Sequence, residues 1–346
     1  MPGPFPSPIV QAPMVACTDL PFRLIAREHG LSFAFAEMVS AQALVRRNPK
    51  TLKTLQTCPE DHPVGAQILG REPAMMAEAA RIIEELGFDL LDINLGCPVR
   101  KVIANGEGAA MLGNPRAAES VFSAVRRAVT IPVTVKMRSG IDDAGGSQAL
   151  AIVRIARDCG LSAATIHGRT QKQGYAGAAD WRAIGRVKSA VSLPVFGNGD
   201  LSQDSDLAAL RALSGVDGVM VGRGALGNPW IYRQLERAWK YGDTLQQGVP
   251  VFPAPPVPPT VQERLKALLK HFDLEIEWQG GRQAALHMRR TVVWYTAGLP
   301  GNKAIRSGVC RTMDLGLIRR MIEDFFAALP LDLPPPAVPL LLAGEG

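Results

Sequence analysis

Three observations predict the α/β class, a (β/α)₈ TIM barrel followed by a small all-helical C-terminal domain. Eight short apolar runs alternate with stretches of helical period from the start to about residue 240. A break rich in Pro, Gly and Gln follows, and beyond it come three further helical stretches. The even spacing of the eight units favours a closed barrel over a doubly wound open sheet, which seldom needs so many.

The first apolar run, Ile9 to Val15, reads as a strand, and Pro21 to His29 as the helix after it. Phe33 to Val39 and Val64 to Leu69 are the next two strands, with a helix over Ala74 to Leu86. Leu90 to Asn94 is the fourth strand, then Pro115 to Val129 is helical and Val133 to Met137 is the fifth strand. A helix over Gln148 to Cys159 leads to the sixth strand, Ala163 to His167, and a helix over Trp181 to Ala190 to the seventh, Val195 to Asn198. Asp204 to Leu213 is helical and Gly218 to Val221 completes the set. The expected division is a barrel over residues 1–242, a Pro-rich linker over 243–259, helices over 260–329 and a Pro-rich tail over 330–346. Within the third part Val261 to Gln279, Arg282 to Ala297 and Leu315 to Leu329 read as helices.

Composition narrows the function. A 47% hydrophobic chain of 346 residues can bury a sizeable core, and 20% charged residues is ordinary for a soluble protein. A net charge of +6 is compatible with a polyanionic partner without requiring one. Five cysteines, widely spaced and without a C-x-x-C pair, argue against a disulfide framework or zinc site and point to a reducing cytoplasm. Met1 to Val10 lacks the charged start and apolar centre of a signal peptide. No apolar run approaches the roughly 18 residues that cross a bilayer, so no membrane association is expected. No obligate protein partner is evident.

In a barrel the C-terminal strand ends converge on one face, where active sites lie. Here they carry Gln67, Asn94, Cys97, Lys136, His167, Arg169, Asn198 to Asp200, and Gly222-Arg223. Cys97 is singled out by Asp92-Ile93-Asn94-Leu95-Gly96-Cys97-Pro98, an apolar strand cut off by Gly96 and Pro98. A lone cysteine is usually a small core hydrophobe. Asn94 at the same strand end, Arg100 and Lys101 just after it, and an expected mobile loop over Ala104 to Ala110 instead mark Cys97 as the reacting residue. Gly197 to Asp200 and Gly222 to Ala225 read as phosphate turns, with Arg223 adding charge; the rival reading is tight turns alone. Lys136 is a Schiff-base nucleophile, a counter-charge for an anionic cofactor, or a lysine reaching solvent. His167 is a general acid, a phosphate ligand or structural, and no metal is expected, because nothing keeps ligand spacing with it.

Taken together the motifs resemble the tRNA-dihydrouridine synthase family, in its bacterial B-type subgroup. The resemblance runs through Ala12-Pro13-Met14, Thr18-Asp19, Pro21-Phe22-Arg23, Ser40, Gln67, the 92–98 motif with Lys101 and Gly108, and Val135 to Arg138. Thr165 to Thr170, Asn198-Gly199-Asp200, Gly222-Arg223 and Asn228 to Ile231 complete it in the barrel; Arg289, Trp294-Tyr295 and Arg306 extend it weakly into the helices. It implies flavin mononucleotide (FMN), reduced by NADPH, and saturation of the carbon 5–carbon 6 bond of a D-loop uridine flipped out of tRNA. Ala12, Pro13 and Met14 would cover the flavin ring, Gln67 would bond its pyrimidine edge, and Lys136 would balance its negative charge. His167, Asn198, Gly199, Asp200, Gly222 and Arg223 would hold its ribityl and phosphate groups. Cys97 would protonate carbon 5, since a thiol ordinarily ionising near about 8.5 is an acid at neutral pH. Asn94, Lys101 and Arg169 would hold the uracil. Among the basic residues after the linker, Arg289, Arg290 and Arg306 are expected on tRNA phosphates. From Thr260 to Phe326 there are 11 lysines and arginines against 7 acids. A barrel flavoprotein acting on a free pyrimidine, such as a dihydroorotate dehydrogenase, would not need that domain. A tRNA-binding folding factor would not need Cys97 and the flavin set. The Pro-rich break and Asn302 to Met313 depart from the family pattern.

Overall fold

The structure, a computed structural model, describes residues 3–241, 245–246, 249–250 and 258–330. Most of the expected linker and the tail beyond Pro330 lie outside the described residues, although Leu245–Gln246 and Val249–Pro250 form a short antiparallel pair. Eight parallel strands make the barrel: β1 (Ile9–Gln11), β2 (Ala34–Ser40), β3 (Val64–Leu69), β4 (Leu90–Leu95), β5 (Val133–Arg138), β6 (Ala163–His167), β7 (Val195–Asn198) and β8 (Gly218–Val221). The order β1-β8-β7-β6-β5-β4-β3-β2 leaves one seam, between β1 and β2. Gln11 bridges it. Its backbone N–H donates to the Phe33 carbonyl at 3.1 Å, and its Oε1 accepts from the Phe35 N–H at 3.0 Å.

Strand β1 stops earlier than expected, so Ala12 to Met14 form the connection above it, where Pro13 has no N–H to extend a ladder. The two ends of the barrel differ in kind. At the N-terminal end Phe5 enters from the leading segment and meets Phe33, Phe35 and Phe196 edge-on, with ring centroids 4.8–6.0 Å apart. That apolar plug, with Leu90, Ala163 and Met220, leaves polar side chains only the upper layers of the barrel and its mouth.

After the barrel, helices Val261–Gln279, Gly281–Thr296, Asn302–Cys310 and Leu315–Ala327 pack around a core of their own that includes Leu268, Phe272, Met288, Val292, Ile318 and Phe326. Asn302–Cys310 is a helix the sequence reading lacked. The first helix opens with a capping box: Thr260 Oγ1 accepts from the Glu263 N–H at 3.1 Å, and Glu263 accepts from the Thr260 N–H at 2.7 Å. The bundle and barrel exchange tryptophans, Trp294 packing into the barrel core and Trp230 against the bundle core. No helix among the described residues is long and apolar enough to cross a membrane.

A charged cluster forms the seam between the bundle and the barrel. His287 Nδ1 lies 2.9 Å from Glu275 and 3.2 Å from Asp19, the N-cap of helix Leu20–Glu28, and Arg290 also reaches Asp19 at 3.2 Å. Burial alone would lower the imidazole pKa, but its bonds to Asp19 and Glu275 carry it up to about 9. Burial pushes the Glu275 carboxyl up to about 7 and His271 down to about 4. Groups raised by folding stabilise most below their ordinary pKa and lose that contribution as pH rises through the raised one. The lowered His271 acts in the opposite sense, losing its contribution as pH falls from 6.5 toward about 4. Thermal melting followed across pH should therefore show stability declining from about 6.5 toward 9, the Glu275 part ending near 7 and His287 carrying the rest, while between about 4.5 and 6.5 Glu275 and His271 act in opposite senses. A His287→Gln variant should flatten the alkaline limb; an unchanged limb would assign it to other groups.

Candidate active site at the barrel mouth

Strand register decides which side chains meet. Side by side across β3, β4 and β5 stand Gln67, Asp92 and Thr134; one layer higher Asn94, Lys136 and Thr165 align, and higher still Arg138, His167 and Asn198. Cys97 lies just beyond the end of β4, half-buried. Its turn is held from three directions. Asn94 Oδ1 accepts from the N–H groups of Gly96 at 3.0 Å and Cys97 at 2.9 Å. Arg138 Nε donates to the Gly96 carbonyl at 2.9 Å, and the Cys97 carbonyl accepts from Ala109 N–H at 3.2 Å.

The segment from Ala104 to Ala110 runs from the last residue of helix Arg100–Ala104 through a turn into a 3₁₀ turn over Gly108–Gly113. Gly108 sits under Cys97 at φ 58°, where a Cβ would stand 2.9 Å from the Cys97 carbonyl oxygen, so only glycine fits. Lys101 is exposed on that helix.

Lys136 stands at the floor of the mouth. Burial, with Arg138 adding to it, pushes its amine down to about 8, while the charge of Asp92 opposes the shift. His167 is driven well below its ordinary value, by burial first and then by Lys136, Arg138 and Arg169, so it is neutral. Its Nδ1 is buried without a hydrogen-bond partner. Gly199 packs directly against it: a Cβ there would lie 2.8 Å from that nitrogen and 2.8 Å from the Ala179 Cβ, so this close approach needs glycine.

Asp200 organises the other side. Arg169 meets Asp200 Oδ1 and Oδ2 at 2.8 Å, Ala179 N–H donates to it at 2.7 Å, and Arg223 approaches at 3.5 Å. A cavity of about 1190 Å³ opens there, lined by Arg169, Tyr175, Trp181, Asp200, Ser202 and Arg223 among others. Asn198 Nδ2 ties the seventh strand to the Met220 carbonyl at 2.7 Å. Gly222 lies against Met14 and Ala12, each within 4 Å of the position a Cβ would take.

The structure thus gathers the expected flavin residues and Cys97 at one mouth, with differences in what each side chain does. Arg169 is 3% exposed and spends its guanidinium on Asp200 and the carbonyls of Ala176 and Gly177. Both ends of the Asn94 amide are engaged, Nδ2 with Gln67 Oε1 at 2.7 Å. In the bundle, Arg290 is taken up by Asp19 across the seam, Arg289 leans on the Thr312 carbonyl and the Met313 sulfur, and Arg306 donates to the Val293 carbonyl. Sequence reasoning missed Asp92, Thr134 and Arg138 as site residues. It also missed Tyr175, which is exposed at the mouth with Arg138 and Arg223 each 5.8 Å from its ring. The strand-internal pattern Asp92-x-Asn94, polar at alternate positions of an otherwise apolar strand, was the available signal.

Known proteins match this chain along most of its length. The model of the family described as dihydrouridine synthase covers residues 10–316. A probable tRNA-dihydrouridine synthase of Rickettsia typhi is 35% identical over 93% of this chain and 95% of its own. The tRNA-dihydrouridine synthase B of Pseudomonas aeruginosa is 36% identical over 94% of this chain and 95% of its own. Among solved structures, histamine dehydrogenase from Rhizobium sp. 4-9 shares the barrel at TM-score 0.53 and 14% identity, over 68% of this chain and 47% of that one. With the family match spanning barrel and bundle together, the chain belongs to the dihydrouridine synthase family of oxidoreductases and, within it, to the bacterial B-type group.

Proposed function

We propose that this protein is a tRNA-dihydrouridine synthase that uses FMN and NADPH to reduce the carbon 5–carbon 6 bond of a D-loop uridine. The observation that carries the reading is Cys97, held on a turn pinned by Asn94, Arg138 and Ala109, at the same mouth as Lys136 and the two glycine turns. The residues fit a flavin mononucleotide: a half-buried amine on Lys136, a buried His167 Nδ1 without a partner, and a cavity lined by Arg169 and Arg223 among others. Ala12, Pro13 and Met14 would line its ring, and Gln67 would reach its pyrimidine edge with the second N–H of Nε2, the first being given to Asp92. Lys136 would balance negative charge, and His167, Asn198, Gly199, Asp200, Gly222 and Arg223 would hold the ribityl phosphate. When bound, the flavin supplies the hydride that adds to carbon 6. Cys97 gives a proton to carbon 5 from the opposite face and recovers one from solvent.

A uridine reaches this mouth only by leaving the folded tRNA. Lys101, exposed three residues past Pro98, is placed to meet the extruded nucleotide. Selection of tRNA needs a wider surface, and the bundle supplies it through shape and phosphate contacts. Arg289 and Arg306 remain the candidates there, whereas Arg290 serves the seam with the barrel.

The test is direct: the purified protein should be yellow and, with NADPH, form dihydrouridine in tRNA but leave free orotate unchanged. Colourless protein without that activity would overturn the reading. Arg223→Ala should lose flavin on gel filtration, seen as loss of absorbance in the region of about 450 nm, because a charge-assisted contact to phosphate disappears. Full retention would move the phosphate elsewhere.

A further inference from the structure

We propose that Asp92 is a positioning residue that fixes the Cys97 turn through an oriented chain of side-chain amides, Gln67 and then Asn94. This rests on the reading of Cys97 as proton donor. The chain is continuous and buried. Thr134 Oγ1 donates to Asp92 Oδ1 at 2.6 Å, and Gln67 Nε2 donates to Asp92 Oδ2 at 2.7 Å. Asn94 Nδ2 donates to Gln67 Oε1 at 2.7 Å, and Asn94 Oδ1 receives the N–H groups of Gly96 and Cys97. Gln67, Asp92 and Thr134 are each 1% exposed, so water cannot substitute for a missing partner.

An amide group has nearly the same shape either way round; its neighbours decide which end points where. At the Cys97 end the neighbours are two backbone N–H groups, which only an oxygen can satisfy. Asn94 must therefore turn Oδ1 to the turn and Nδ2 inward. Gln67 must then offer Oε1 to Asn94 and Nε2 to whatever lies behind it. An ionised carboxylate, which accepts and cannot donate, is the group that makes this sense compulsory. Burial lifts the Asp92 carboxyl to about 6, against the bonds from Thr134 and Gln67 and the charge of Lys136, so at neutral pH it remains mainly ionised. A donor in its place would reverse Gln67, then Asn94, and set an amide nitrogen against the two N–H groups of the turn.

The experiment uses flavin-loaded full-length protein and separates the two half-reactions. Asp92→Leu fills the space but removes the acceptor. It should slow reoxidation by tRNA about tenfold or more, as for loss of an interaction worth one buried hydrogen bond, and change NADPH-driven flavin reduction less than about threefold. The rate at which iodoacetamide alkylates Cys97, read by mass spectrometry of its peptide, should rise several-fold as the turn loosens.

Asp92→Asn removes the charge but keeps an acceptor for Gln67, because the Thr134 hydroxyl can rotate and accept from the new amide. It should stay within about threefold of wild type in reoxidation. Thr134→Val should likewise be mild, while Asp92→Asn with Thr134→Val leaves the introduced amide no partner except a reversed Gln67. That pair should be worse than the product of its parts. In a Cys97→Ala background Asp92→Leu should add little to the loss.

Equal failure of Asp92→Asn and Asp92→Leu would assign the effect to charge and overturn the relay. So would unaltered Cys97 alkylation in Asp92→Leu, or a full additional loss without the thiol. Wild-type turnover of Cys97→Ala alone would instead overturn the reading of Cys97, which keeps the two failures distinct.

Discussion

Cys97→Ala should bind flavin and accept reducing equivalents from NADPH at the wild-type rate, yet reduce tRNA about 10² to 10⁴ times more slowly. The size follows from the role, because a proton donor acting in the transition state is worth that range. The selectivity follows from the structure. The thiol makes none of the contacts that hold its own turn, since those run through the Cys97 N–H, the Cys97 carbonyl and the Gly96 carbonyl. Truncating the side chain therefore removes the acid and leaves the mouth as it was. Stopped-flow absorbance resolves the two half-reactions separately. Reoxidation by tRNA at the wild-type rate would remove Cys97 from the chemistry.

Gly227→Ala should cost about 2–4 kcal/mol of stability, combining left-handed strain with an overpacked contact. Gly227 has φ +68°, and a Cβ there would stand 2.3 Å from the Trp294 carbonyl oxygen and 2.4 Å from its carbon. Both atoms are backbone and cannot rotate away. The clash falls where the barrel and bundle exchange Trp230 and Trp294, beside the Arg290–Asp19 pair. The bundle must shift relative to the barrel, so tRNA turnover should fall along with the denaturant midpoint, while flavin stays bound. Limited proteolysis should cut earlier between the two parts. A melting curve that overlays wild type would show that the seam yields without cost.

The charge of the bundle illustrates what a sequence can and cannot assign. Its excess of basic residues suggested phosphate contacts for Arg289, Arg290 and Arg306 alike. For Arg290 the fold supplies a partner 271 positions away, Asp19, and that pair ties bundle to barrel. Arg169 and Asn94 were likewise expected on the uracil through the family resemblance, and both are engaged by neighbours within the protein. A guanidinium or amide in the sequence says what it can bond, and only its surroundings say what it does bond.

What the sequence determined by itself was local in origin. Short apolar runs punctuated by Gly and Pro located the barrel strands, four of them (β3, β6, β7 and β8) to the residue. The same punctuation located Cys97 and the glycine turns at strand ends, because chain reversal and buried strands leave a signature within a few residues. The tertiary structure alone decided the rest. The Phe5 plug, the helix over Asn302–Cys310 and the Asp19–His287–Glu275 seam join segments with no local mark of their destination. The Thr134–Asp92–Gln67–Asn94 chain depends on strand register, which aligns residues 25 and 42 positions apart. A one-residue slip of β4 would turn Asp92 out of the barrel, and register is fixed by the packing of the whole sheet rather than by any one strand.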